Sequence, residues 1–595
     1  MLRSALILLL TANLATAQTA PAASQQPTTL HMDVQLVTVD VVVTDKNGRP
    51  VHGLSKSDFT VQENKSAQAL NGFEEHAGSN AAATAATGTT PAGVFENTPQ
   101  TRGGAVDVLL IDALNTPPTS QPYLRDQLVK FLAAEKPGRQ TAVFLLNTRL
   151  AMLQDFTTDP QILKRVVKLQ GVKFSPLLNR ELNDSAVHSQ SETLSDMAAA
   201  NPAIAPTLLQ IQSTLLDMDA RQQSQQTQLR ARTTMDALQQ LSRFLAGVPG
   251  RKNLMWFSGS FPVFIQRDIQ TTGDVFAGSA DLSNELTRTI DMLAQNQLAI
   301  YPIDSRGVDV PPSQLPTEDG FTGDLQRTRQ VYGTRSATPR DDQFWTDQAN
   351  EHSTMNELAA GTGGRAFYNT NAITAAIDQA TTDGENYYTL QYTPPPGSKP
   401  GEFRNLSVTV SKPGLKLAYR KGYYAAAKTA HTPESLTKTL SNAMGADTAD
   451  SSEIALQVAP ATAPETDPSK VIGLKAAGDA PHAQYTMNMS VDVKGLHFAE
   501  GADGKMHGTL LFATVLYAKN GKVIDSRQDR AVLALDAERY KAMLAQGMRY
   551  HSVIALPATS DATVRVAVQD EDTGRIGSMH LRADQVQSAA NAKQP

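Results

Sequence analysis

Apolar residues occupy every second position at Val37, Val39, Val41 and Val43, and Asn47-Gly48 follows the run. That is the pattern of a half-buried strand entering a tight hairpin. Residues 31–76 therefore predict a β module, but about four strands in so short a stretch bury too little surface to stand alone. Strands from elsewhere are expected to complete it, and 386–424 are the candidates. Residues 77–104 are rich in Ala, Thr and Gly without periodicity and predict a linker.

From Ala105 the pattern alternates between two periods. Continuous apolar runs in "VDVLLID", "TAVFLLN", "RKNLMWFS" and "LAIYPID" predict buried strands. Between them Leu124, Leu128, Phe131 and Leu132 share one helical face, as do Leu282, Leu286, Ile290 and Leu293. Repeated strand and helix predict a doubly wound, mostly parallel sheet over 105–385, covered on both faces. Two stretches interrupt it. Residues 171–232 predict a helical insertion carrying Leu208, Ile211, Leu215 and Met218 at 3-4-3 spacing, and the stripe resumes at Met235, Leu238, Leu241 and Leu245. One helix from Pro206 to Ala246 would be about 60 Å long; the other possibility is a break in the Gln-rich gap. Residues 307–349, with Pro, Gly, Thr and Asp and no sustained period, predict a loop.

Strand patterns return over 386–427, a helix and linker follow over 428–470, and 471–595 predict a C-terminal β-sandwich-like domain with hairpin signals at Asp503-Gly504 and Asn520-Gly521. The fold class is thus multidomain α/β plus β, a doubly wound sheet flanked by β-sandwich-like modules.

The 595 residues, 41% hydrophobic and 19% charged, describe globular material. Residues 1–17, with Arg3, a short apolar run and Ala15-Thr16-Ala17, predict a cleaved secretory signal, followed by a polar tail over 18–30. The expected location is periplasmic or extracellular, with no transmembrane segment after cleavage. Losing Arg3 takes the net charge from −6 to −7, and no basic stripe is present, which argues against nucleic acid as a partner. The absence of cysteine excludes disulfides, thiolate metal sites and a Cys nucleophile.

The strings "VTVDVVVTDKNGRPVHGLSKSDFTVQEN", "VDVLLIDALNT", "GVPGRKNLMWFSGSFP" and "FRNLSVTVSKPGLKLAYRKGYYA", in that order, resemble a bacterial exported family related to the von Willebrand factor type A domain. The resemblance covers roughly residues 30–425. It implies a metal-ion-dependent adhesion site at the carboxyl edge of the sheet, built from an Asp-x-Ser-x-Ser loop, a Thr and a further Asp. In this chain the loop reads Asp112-Ala113-Leu114-Asn115-Thr116, and Ser258 stands where the further Asp is expected. The implied metal residues are Asp112, Thr116 and Ser258, but Leu114 offers no oxygen and Ser258 no charge, so the site is degenerate. Mg²⁺ wants near-octahedral oxygen ligands, and tight binding is not expected here; no cofactor is expected either. Asp112, Asn115, Thr116 and Ser258 are the candidates for a binding surface.

Other motifs carry less chemistry. "GTGGRA" at 361–366 follows a helical pattern and precedes a strand, the reverse of a dinucleotide fingerprint, and reads as a helix stop. "GVPGRKN" lacks the phosphate-loop spacing. His497, Glu500 and His507 flank a hairpin turn, and "DEDTGR" at 570–575 reads as an acidic turn. Tyr387, Tyr388, Tyr392, Tyr419, Tyr423 and Tyr424 read as strand core. The expected function is an exported, non-enzymatic adhesion or scaffolding protein with a protein partner at the cell envelope or outside the cell. The alternatives are an extracytoplasmic hydrolase with a dispersed active site and a cation-dependent adhesin.

Overall fold

The computed structural model describes residues 36–78, 91–101, 104–134, 139–173, 175–178, 190–191, 193–261, 279–309, 339–395, 399, 401–425, 432–446, 448–464, 467–477, 481–557 and 561–592. The signal sequence and polar tail expected over 1–30 lie outside them.

The first module draws on two distant stretches of chain. Strands β1 (Val37–Thr44), β2 (Phe59–Glu63), β3 (Ser66–Gln68) and β4 (Leu70–Ala77) join β11 (Asn386–Tyr392), β12 (Phe403–Val410), β13 (Lys416–Ala418) and β14 (Gly422–Tyr424). They form two four-stranded sheets, β13-β1-β11-β4 and β14-β12-β2-β3, each using strands from both stretches. Val39 sits opposite Leu390, and Val61 opposite Val408. The valine alternation turns one face of β1 onto a core shared with Phe59, Tyr388, Tyr392, Val408 and Tyr423. At its edge the buried Glu63 accepts hydrogen bonds from Tyr392 Oη at 2.6 Å and Tyr423 Oη at 2.8 Å, and from Arg404 Nη1.

The central sheet has the order β10-β9-β6-β7-β8, from β6 (Val106–Asp112), β7 (Thr141–Leu146), β8 (Leu150–Thr157), β9 (Lys252–Ser258) and β10 (Leu298–Asp304). All neighbours are parallel except β8, which runs antiparallel to β7 at the edge. Helices α1 (Gln121–Ala134), α2 (Pro160–Leu169) and α6 (Ile373–Glu385) bury Leu128, Phe131, Leu163 and Ile377 on one face. Helices α3 (Ala205–Leu245), α4 (Ser279–Gln295) and α5 (Pro339–Thr362) bury Leu238, Leu241, Leu286 and Leu358 on the other. The winding reverses between β6 and β9, and a crevice at the carboxyl ends of the strands where the order reverses is where open α/β sheets place their sites.

Several segment assignments change. Of the two paths open to the helical insertion expected over 171–232, the chain takes the continuous one over its described part: α3 is one 41-residue helix running through the Gln-rich gap, about 60 Å long. Gln, Arg and Ala are good helix formers, so polarity did not break it. Its second half, from Ala231, packs on the sheet, while Ile211, Met218 and Leu229 in its first half are exposed. The loop expected over 307–349 gives way to α5 at Pro339, because the first turns of α5 expose even Trp345 and so carry no apolar period. The linker expected over 77–104 contributes β5 (Phe95–Glu96), which pairs with β15 (Leu456–Thr462). That strand lies inside the stretch of helix and linker expected over 428–470, where the helix is α7 (Pro433–Ala443), so the C-terminal module starts upstream of 471. Pro460 disguised β15; it lies beyond the two residues that pair with β5, where no strand needs its missing N–H.

The C-terminal module has the sheet β16-β21-β17-β15-β5, with β16 (Val471–Ile472), β17 (His482–Val491) and β21 (Met548–Pro557). Its second sheet is β18-β19-β22-β23, from β18 (Ala499–Glu500), β19 (Met506–Tyr517), β22 (Thr563–Asp570) and β23 (Ile576–Arg582), with β20 (Val523–Leu535) paired to β19. One core containing Leu456, Met487, Phe512, Val566 and Val586 joins the two sheets. The module is fastened to the end of α3: Ser452 N donates to Arg243 O at 2.9 Å, and Ser452 Oγ donates to Phe244 O at 2.6 Å. Carbonyls that a helix end leaves without partners are thereby satisfied.

At the amino end of β6, burial pushes the Asp107 carboxyl up to about 6, against the opposing pull of Arg139 at 3.6 Å and a hydrogen bond from Asn253. Between its ordinary value and this raised one, the unfolded chain has released a proton that the folded chain keeps. Stability is therefore expected to fall as pH rises from about 4 to about 6 and to level off above. Asp107→Asn should remove that part of the slope, which urea titrations of both proteins at a series of pH values will measure; equal slopes would refute it.

Candidate functional site

Asp112 ends β6 because the chain must leave the sheet there: Ala113 N and Leu114 N both donate to Leu146 O, at 2.7 and 3.0 Å, which folds the loop over the end of β7. Asn115 N then donates to Asp112 Oδ1 at 2.9 Å, closing a turn of the kind Asp favours. The end of β9 comes close alongside. A Cβ at Gly259 would stand 2.8 Å from Pro117 Cδ, so only glycine lets the two loops pass, and Gly259 N donates to Thr116 Oγ1 at 2.9 Å.

All four candidate residues are brought together. Asp112 Oδ2 accepts hydrogen bonds from Asn115 Nδ2 at 2.8 Å, Ser258 Oγ at 2.9 Å and Trp256 Nε1 at 3.0 Å. Burial raises the Asp112 carboxyl above its ordinary range, with the bonds from Asn115, Ser258 and Trp256 acting against that rise. As binding-surface residues, however, the four need correction: Asp112, Asn115, Thr116 and Ser258 are fully buried. The cause is α3, which lays Thr234 and Arg230 across the loop. Asn115 Nδ2 also donates to Thr234 Oγ1 at 2.9 Å, and Arg230 Nη1 lies 3.5 Å from Asn115 Oδ1. The cluster is a floor, and contact with any partner falls to the residues around it.

A polar bridge extends the floor to β10 and α5. Arg306 Nη2 donates to Asp304 Oδ2 at 2.8 Å and to Glu351 Oε2 at 2.6 Å, and Ser258 Oγ also lies 2.7 Å from Ser260 O. Burial pushes the Glu351 carboxyl up; Arg306 and a hydrogen bond from Ser260 counter it. Beyond this bridge stand exposed apolar groups, Trp345 at 49% and Val308 at 57%, while Tyr123 Oη donates to Asn371 O and Val308 N donates to Asn371 Oδ1.

The donor set is a poor match for the magnesium site that the resemblance implies. Asp112 Oδ2 already accepts from three donors, Thr116 Oγ1 accepts from the backbone, and Leu114 presents a buried hydrocarbon wall. A hard dication needs oxygens with lone pairs to spare. Among the described residues no group of three or more His, Asp or Glu is placed to hold a metal ion.

Sequence reasoning passed over Trp256, Arg230, Thr234 and the Arg306–Glu351 pair. Trp256 was readable, since it lies two residues before Ser258 and so on the same face of β9. Arg230 and Thr234 continue, at i, i+4, the stripe of Leu238, Leu241 and Leu245, which signals polar side chains carried into a buried face. The Arg306–Glu351 pair, on separate elements, left no such mark. The remaining motifs settle as turns: Gly363 ends α5 with φ 78°, His507 Nε2 lies 2.8 Å from Asp503 Oδ1 beside the hairpin, and Asp570 Oδ1 accepts from Asp572 N within the acidic turn.

Among the described residues no helix is long and apolar enough to cross a membrane. No family model and no curated protein matches the sequence. Solved structures to which the chain is similar include an aerotolerance-related membrane protein from Bacteroides fragilis, at 9% identity over 47% of this chain and 98% of that one, TM-score 0.22. They include the conserved hypothetical protein BatB from Bacteroides thetaiotaomicron, at 10% identity over 47% and 97%, TM-score 0.21. Von Willebrand factor type A from Catenulispora acidiphila is also among them, at 9% identity over 63% of this chain and 75% of that one, TM-score 0.20, and at such scores the likeness carries no argument about site or activity.

Proposed function

We propose that this chain is an exported, non-enzymatic protein-binding or scaffolding protein of von Willebrand factor type A-like build, whose flanking two-sheet modules are β-sandwiches. Recognition takes place on the carboxyl edge of the central sheet and needs no cation. The observation that carries this reading is the saturated Asp112 carboxylate, held by Asn115, Trp256 and Ser258 and shut off from solvent. An adhesion site of the metal type works by leaving a coordination position open to a partner's carboxylate, and a floor closed by its own hydrogen bonds has none to give. The partner instead meets the rim, where Trp345, Val308 and Tyr123 provide the aromatic and apolar groups on which protein interfaces concentrate their energy.

Two hollows among the described residues also support binding over catalysis, one by its size and the other by its lining. The cleft beside Asp112, lined by Gln121, Leu124, Arg125 and Lys173, has a volume of about 30 Å³, roughly the share of one water. A larger and open hollow of about 500 Å³ on the first module is lined by Ser55, Lys56, Ser57, Phe59, Gln68 and Leu70, without a carboxylate or imidazole.

Two measurements test the reading. Calorimetric titration with Mg²⁺ and Mn²⁺ should give no saturable heat; micromolar binding would overturn it. A photo-crosslinking residue in place of Trp345 should capture an envelope protein at equal yield in chelator and in Mg²⁺. Capture that requires Mg²⁺, or none at all, would also overturn it.

A further inference from the structure

The structure points to a second interaction surface, remote from the central sheet. Among the described strands β20 pairs with β19 alone, and no backbone hydrogen bond leaves its other edge for a described residue. Its 13 residues span about 44 Å at the usual rise of a strand. An open edge of that length is a row of N–H and C=O groups ready to pair, which proteins ordinarily blunt with proline, lysine or a bulge. β20 contains neither proline nor lysine, and its register against β19 shifts only near its start. It also carries exposed apolar side chains on its outward face, Ile524 at 36% and Val532 at 68%.

We propose that this edge pairs antiparallel with β20 of a second copy of the chain, about a two-fold axis at Gln528. Charges and apolar contacts together select that register: an axis at Ser526 also sets Asp525 opposite Arg527, but it puts Lys522 against Arg530 and loses the contact of Ile524 with Val532. Side chains facing each other across antiparallel strands lie on the same face of the sheet, so the axis must pass through a residue or shift by whole residues from one such position to the next. Centred on Gln528, Arg527 of each copy stands opposite Asp529 of the other, Ser526 opposite Arg530, and Ile524 opposite Val532. Moving the axis one residue back sets Arg527 against Arg527 and Asp525 against Asp529; moving it one residue forward sets Asp529 against Asp529. Like charges directly opposite destabilise a pair, whereas opposite charges and apolar contacts stabilise it. Within one chain Arg527 Nε already donates to Asp529 Oδ2 at 2.8 Å, so in the pair these groups close a four-membered ring of alternating charge. The same arrangement joins the two C-terminal modules into one continuous sheet, and residues that meet residue for residue make a self-complementary interface of the kind a two-fold requires.

The chain has no cysteine, so introduced thiols report without background. In the full chain Gln528→Cys should oxidise to a disulfide-linked dimer, because facing Cα atoms across antiparallel strands lie about 4.5–5.5 Å apart. Ala534→Cys, whose counterpart would stand about 40 Å away, should not. Sedimentation should show the mass doubling as concentration rises, and Val532→Lys, at an exposed position, should weaken the association at least about tenfold while leaving the melting temperature unchanged at dilutions where the chain is single. A chain that stays single at all concentrations overturns the proposal, as does oxidation of Ala534→Cys as complete as that of Gln528→Cys, or association that Val532→Lys leaves untouched.

Discussion

Asp112→Ala is expected to destabilise the fold by about 2–4 kcal/mol, in the presence or absence of Mg²⁺ alike. The variant removes an acceptor from four buried donations. Two of the donors have somewhere else to turn: Asn115 Nδ2 keeps Thr234 Oγ1, and Ser258 Oγ keeps Ser260 O. Asn115 N and Trp256 Nε1 are left stranded in the interior, at about 1–3 kcal/mol each. Removing a carboxylate that burial already disfavours returns part of this cost, which places the net in the middle of the range. A metal-holding aspartate predicts the opposite pattern. Without the ion its removal relieves a poorly solvated charge, and its main effect is to abolish stabilisation by Mg²⁺. Urea unfolding of both proteins with and without the ion separates the two; a loss below about 0.5 kcal/mol, or wild-type protein stabilised by Mg²⁺, would refute the closed-floor account.

How much of this was readable beforehand varies with the distance over which each feature is encoded. The buried strands of the central sheet were legible because parallel strands covered on both faces leave continuous apolar runs, such as Val108–Ile111 in β6, Leu254–Phe257 in β9 and Leu298–Ile303 in β10. The loop from Asp112 to Thr116 and its neighbour at Ser258 were legible as a site, since both stand at the carboxyl ends of such runs. What the sequence hid is the lid. Whether Asp112 faces solvent or a helix depends on α3 crossing the loop more than 100 residues later, and only the i, i+4 pair Arg230 and Thr234 hints at it. The exposed first turns of α5 around Trp345 lacked the periodicity by which an element is recognised, and in β15 a proline, Pro460, interrupted an alternating run. Their composition resembled that of a linker.

The second large effect concerns the module built from both ends of the first 425 residues. Glu63→Ala is expected to cost about 3–5 kcal/mol, the range for breaking a buried ion pair from one side. Glu63 follows Phe59 and Val61 at two-residue spacing, so β2 carries it inward, and only 2% of it is exposed. Its carboxylate receives Tyr392 from β11, Arg404 from β12 and Tyr423 from β14. Every one of these partners comes from the chain beyond the central domain, so the network is one of the places where the two distant stretches are held in register. Alanine leaves the guanidinium of Arg404 buried without its counter-charge and two phenol hydroxyls without an acceptor. Glu63→Gln, which keeps an acceptor oxygen but no charge, should lie between, and Thr60→Ala, exposed on the same strand, should stay within about 0.5 kcal/mol. Because the lost contacts cross between stretches, hydrogen exchange should accelerate in β2 and β12 together while β6 and β9 remain protected. Acceleration confined to β2, or a Glu63→Ala loss no larger than that of Thr60→Ala, would show that the two stretches do not depend on this carboxylate to stay joined.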